Sequence, residues 1–145
     1  MSKAVCSMIG GLALALLLGG CGKADEPGDS KKTAVGPAAA PEHYKDAVAK
    51  CETLSGEIGN LISTGKLSDV HTAAEEIKKL AEKMPEMAQK ELEATVLKDV
   101  NTKAKELAGM FNEIDQAADA GKKDETQKLH TKMQALIAEL KKHAR

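Results

Sequence analysis

The sequence predicts an all-α protein, an up-down-up-down four-helix bundle that follows a signal peptide and a flexible tether. Three observations carry this reading. From Pro41 onward apolar residues recur at three-four spacing, and nowhere do they alternate as a half-buried strand would. The same stretch is rich in Ala, Leu, Glu and Lys. Two glycine-lysine pairs, Gly65-Lys66 and Gly121-Lys122, punctuate it at helix ends. The chain divides into a signal peptide over 1–20, a linker over 21–40 and the bundle over 41–145.

The first helix opens at Pro41, which suits a first helical position. It carries Tyr44, Val48, Cys51, Leu54 with Ser55, Ile58, Leu61 and Ile62 on one stripe. Gly65 stops it and Ser68 caps the next helix. Helix two holds Val70, Ala73, Ala74, Ile77, Leu80, Ala81, Met84 and Met87. Pro85 kinks that helix rather than ending it, because the apolar spacing continues past it. A turn near 90–94 is required, since one helix from Glu86 to Ala120 would outrun its neighbours by about ten residues. Helix three shows Leu97, Val100, Ala104, Leu107, Phe111, Ile114 and Ala118 and ends at Gly121. Asp124 with Gln127 reads as a capping box for helix four, which offers Leu129, Met133, Leu136, Ile137 and Leu140. A faint duplication accompanies the pattern. Gly65-Lys66 precedes His71-Thr72, and Gly121-Lys122 precedes His130-Thr131, at different spacings.

Ahead of the bundle, Lys3 precedes an apolar core from Ile9 to Leu18. That core is too short for the roughly 20 apolar residues that span a bilayer, and it has the layout of a secretory signal peptide. Its end, Leu18-Gly19-Gly20-Cys21, resembles the lipobox of bacterial lipoproteins. The resemblance implies lipidation of Cys21 as the first residue of the mature chain, and hence a membrane anchor of several acyl chains. Gly22 follows, with no aspartate there, which in that family favours the outer membrane, facing the periplasm. Residues 22–40, small, charged and containing Pro and Gly, read as the tether.

Composition excludes several function classes. Of 21 basic and 22 acidic residues only Lys3 precedes Cys21, leaving 20 basic against 22 acidic side chains in the mature chain. Such a balance gives no electrostatic case for nucleic acid. Tyr44 and Phe111 are the only aromatic residues, so stacking of bases or sugars has almost no platform. Cys6 leaves with the signal and Cys21 is lipidated, so Cys51 stands alone and no intramolecular disulfide can form. On the apolar stripe of helix one, Cys51 reads as a small buried hydrophobe; a disulfide-linked dimer through it requires exposure. No catalytic set is found: a Ser-His-Asp motif, a Gly-rich phosphate loop and HExxH are all absent.

Two groups of side chains remain as metal candidates. His71 and Glu75, four apart on helix two, share a face and fall at the end of the bundle that also collects Asp115 and His130. Imidazole with carboxylate suits zinc, nickel, cobalt or copper(II). A second, weaker cluster places His43 and His143 at the opposite end with Met84 and Met87, where thioether would suit copper(I). The competing readings are a half-exposed His71, a His130 bordering the core, and methionines as core fillers.

The last hairpin, "IDQAADAGKKDETQKLHTKMQALIAELKKHAR", resembles the end of the soluble b-type cytochromes of the periplasm, bundles akin to the c′-type cytochromes. The resemblance covers about a quarter of the chain and implies a four-helix bundle. That family holds haem between a methionine of the first helix and a histidine near the end of the fourth. Here the stretch from Pro41 to Thr64 has no methionine, His143 lies about two residues off that place, and CxxCH is absent. The haem ligands are therefore not matched. Taken together, the sequence leads to a lipid-anchored, periplasm-facing binding or accessory module with an envelope protein as partner, and not an enzyme. A transition-metal binding or sensing protein using His71, Glu75 and His130 is the first alternative, and a haem electron carrier the second.

Overall fold

A computed structural model describes residues 41–144; the expected signal peptide, the expected lipidation site Cys21 and the expected tether lie outside the described residues. The described chain forms four α-helices and one short 3₁₀ turn: α1 (Tyr44–Ser63), the turn Leu67–Asp69, α2 (Val70–Glu91), α3 (Ala94–Asp119) and α4 (Lys123–Lys141). Successive helices pack against one another, and α4 closes back on α1. The result is an all-α four-helix bundle in which α1 and α3, and α2 and α4, lie across the diagonals.

The three-four stripes form the core. Val48, Cys51, Leu54, Ile58 and Ile62 of α1 meet Val70, Ile77, Leu80 and Met84 of α2. Val100, Leu107, Met110 and Ile114 of α3 join them, with Leu129, Met133, Ile137 and Leu140 of α4. All four methionines read as core fillers are buried. Leu97, Phe111 and Leu136 are only half-buried and pack against the rim of the core. Cys51 is fully buried, and burial pushes its thiol up to about 12 against the opposite pull of Lys50.

Both glycine-lysine turns are built alike. Gly65 (φ +75°) and Gly121 (φ +68°) take the left-handed conformation that a side chain makes costly. The Lys66 N–H donates to the Leu61 carbonyl and the Gly65 N–H to Ile62. The Lys122 N–H donates to Ala117 and the Gly121 N–H to Ala118. These are paired Schellman closures, which satisfy carbonyls the helix end would leave bare. The turn between α2 and α3 is only Leu92-Glu93, inside the expected 90–94 window, and α2 runs unbroken past Pro85 to Glu91.

Three expected helix starts are corrected. α1 begins at Tyr44, three residues after Pro41, and its end is held by Glu91, whose carboxylate accepts from the Tyr44 N–H. Ser68 does not cap α2, because the 3₁₀ turn already puts Asp69, the residue before the helix, at φ −87° and ψ −7°. A capping side chain needs extended backbone at that place. The Asp124–Gln127 box is likewise not made, since α4 starts at Lys123 straight out of the Schellman turn. Asp124 falls inside the first turn, where it meets the positive end of the helix dipole instead.

Candidate functional site

The four histidines of the bundle fall one to each helix seam. At the α1–α2 seam, His43 Nδ1–H donates to Glu91 at 3.0 Å. At the α2–α3 seam, His71 Nδ1–H donates to Asp115 at 2.8 Å. At the α3–α4 seam, His143 Nε2–H donates to Asp99 at 3.1 Å. At the α4–α1 seam, His130 Nε2–H donates to the Ser55 carbonyl at 2.8 Å, with the Ser55 Oγ 3.0 Å from the same nitrogen. The first three are exposed ion-pair contacts. The fourth is buried, with only 3% of His130 accessible.

His71 is the best-built of the exposed three. It sits in the first turn of α2, and the α2–α3 packing brings Asp115 and Phe111 alongside. The imidazole meets the Phe111 ring edge-on, with centroids 5.5 Å apart, while Lys78 Nζ lies 5.0 Å from the Phe111 centroid. The hydrogen bond and charge of Asp115 raise the pKa of His71, with smaller help from Glu75 and Asp119 against desolvation. With Nδ1–H held by Asp115, the Nε2 lone pair is free on a half-exposed ring. That is the orientation by which carboxylates prepare imidazoles as metal ligands or bases.

The expected metal set does not assemble. His71 and Asp115 are together, but Glu75 turns to its own helix, where Lys79 at 3.0 Å holds its carboxyl below the usual range. His130 belongs to the opposite side of the bundle, because α2 and α4 are diagonal and its ring faces α1. The second cluster also separates. His43 and His143 share an end of the bundle but pair with different carboxylates, and Met84 and Met87 are buried in the core. Among the described residues, no three His, Cys, Asp or Glu side chains gather as a metal ion requires.

The haem implied by the cytochrome resemblance does not fit the donors present. His143 is spent on Asp99 of α3, and Tyr44 is buried in the interior with its hydroxyl donating to the Leu140 carbonyl at 2.8 Å. Burial first, and the charge of Asp99 second, push the Tyr44 hydroxyl up to about 12, so it stays a donor across the physiological range.

Ser55 lies on the apolar stripe of α1, and its partner, His130 of α4, is not evident from the stripe itself. A serine among aliphatics and a glycine one turn later, Gly59, were the signal. A Cβ at Gly59 would stand 3.1 Å from His130 Cε1, so the missing side chain makes room for the ring. Glu91 and Asp99, at helix ends among many similar carboxylates, gave no such sign. One surface feature adds to these. A shallow groove of about 590 Å³ between α3 and α4 is lined by Gly109, Met110, Ala135 and Leu136 together with Lys103, Lys132, Glu106, Glu113 and Glu139.

No protein-family model matches the chain, and neither any curated protein nor any solved structure matches it.

Proposed function

We propose that this chain is a bacterial envelope lipoprotein, anchored through acylated Cys21 to the outer membrane and facing the periplasm. Its helical bundle serves as a non-enzymatic binding or accessory module for an envelope protein. The observation that carries this reading is Leu18-Gly19-Gly20-Cys21, set directly after the apolar core Ile9–Leu18 and ahead of an independently cored bundle. The α3–α4 groove supports the module reading with a lining of apolar residues and of both charges, the composition of a protein contact rather than of a nucleic-acid or small-anion site. Metabolic labelling with a clickable palmitate analogue tests the anchor. The full chain is expected to take up label and sediment with membranes, and Cys21→Ser to do neither. Labelling that survives Cys21→Ser overturns the reading.

One observation favours a second reading, binding of zinc, copper, nickel or cobalt. His71 presents a free Nε2 while Asp115 fixes its ring. Elemental analysis and an absorption spectrum on untagged protein decide it. Bound metal lost in His71→Ala but retained in His130→Gln supports a site at His71. Protein that is metal-free and colourless leaves the accessory module standing.

A further inference from the structure

The four seams of the bundle are not held alike. A turn joins α1 to α2, another joins α2 to α3, and a third joins α3 to α4. Each short connection limits how far its two helices can slide. No turn joins α1 to α4, so nothing covalent sets how far along α1 the last helix lies. Apolar packing sets it weakly. The facing stripes, Leu54, Ile58 and Ile62 against Leu129, Met133 and Ile137, are aliphatic side chains of similar size, and cores tolerate such exchanges.

That seam carries two buried side-chain donors, each spent on a backbone carbonyl of the opposite helix. Tyr44, 1% exposed, donates to Leu140, and His130, 3% exposed, donates to Ser55. They lie eleven residues apart on α1 and ten apart on α4, about 15 Å of helix in each case, so both bonds close together in one antiparallel register. The His130 contact is also a lock in shape. Its ring lies where Gly59 has no side chain, whereas the buried positions of α1 around it, Ser55, Ile58 and Ile62, all carry one. A slide of one turn, about 5.4 Å, takes both donors off their carbonyls and drives the ring into a side chain. Buried donors without acceptors are strongly disfavoured.

We propose that Tyr44 and His130 are a two-point register key that sets how the bundle closes along α1 and α4. This is a use of buried polar groups in which they select one arrangement rather than add to overall stability. The two remaining contacts across the seam, Lys141 with Glu52 and Lys123 with the Ser63 carbonyl, are exposed and flexible at their tips, and they cannot impose a register. His130 Nδ1 is buried without a partner. The ring is thus held through Nε2 alone, by the carbonyl and hydroxyl of Ser55.

The test is the full chain with Tyr44→Phe and His130→Leu combined, which removes both donors to the opposite helix. Helical circular dichroism is expected to persist. Amides of α1 and α4 are expected to double or broaden in ¹⁵N–¹H spectra and to exchange about tenfold or more faster, while amides of α2 and α3 beside the Leu92-Glu93 turn keep single peaks. One sharp set of peaks with unchanged nuclear Overhauser contacts between α1 and α4 overturns the proposal. Should the double variant lose its helical signal, ring ¹⁵N spectra of the unaltered protein decide. A slowly exchanging Nε2–H with a coupling to the Ser55 carbonyl upholds the key. A ring protonated at Nδ1 alone, or an Nε2–H in fast exchange with water, overturns it.

Discussion

The α2–α3 seam and the α1–α4 seam are each crossed by one of the two histidines that follow a glycine-lysine turn. Their positions relative to those turns differ, and so do their roles. His71 stands in the first turn of α2, half in water, and reaches a carboxylate that water also solvates. His130 stands two turns into α4, enclosed, and reaches a carbonyl of the opposite helix inside the bundle. The same side chain is an adjustable surface contact in one seam and a fixed point in the other. Burial makes the difference, since an unmade bond is replaced by water at the surface and by nothing inside.

The largest expected effect should not tell the seams apart. Ile77→Ala on α2 and Met133→Ala on α4 each remove a side chain at most 1% exposed, and each should cost about 2–5 kcal/mol by denaturant unfolding. A cost well below that at Met133 alone would mean that the α1–α4 seam is loosely packed. Next comes Tyr44→Phe, which removes the donor to Leu140 while keeping the ring. About 1–2 kcal/mol should be lost, with tyrosine fluorescence replaced by circular dichroism as the probe. Gly121→Ala acts on the turn rather than a seam. Its left-handed backbone should cost about 1–2 kcal/mol, and Gly65→Ala should behave the same if the two turns are equivalent.

His71→Gln should have the smallest effect and the only one tied to pH through His71. The pKa of His71 is raised in the folded chain, so the contribution of its pair with Asp115 is fully present below the ordinary imidazole range. It fades as pH rises through the raised folded value. The stability difference between the parent and His71→Gln should therefore be larger at pH 6 than at pH 9, and smaller in high salt. A difference that grows with pH would show that Asp115 is not the partner in solution.

The helices were legible because burial writes itself into spacing: Ile58, Ile77, Leu107 and Ile137 fall where a 3.6-residue period puts them. Glycines 65 and 121 were legible because few other residues take that backbone. Caps were not, since Ser68 and Asp124 have the right chemistry for a capping place but the preceding turn moves the helix start past them. The metal set failed for a related reason. Position along a helix is readable from sequence, whereas its rotation about the axis and the identity of the diagonal pair are set by packing among all four helices. Glu75 shares the face of His71 but is spent on Lys79, and His130 faces α1.

Cys51 lends the molecule a chemical property that has not depended on any partner. With its sulfur sealed in the interior and its proton held up to about 12, the thiol meets neither oxidant nor disulfide while the bundle is closed. In a compartment that oxidises exposed thiols, the native fold itself is the protecting group, and the sulfur can be captured only before α1 is covered or while the bundle is open. The rate at which a small thiol reagent modifies Cys51 is then a clock for how often the closed bundle opens.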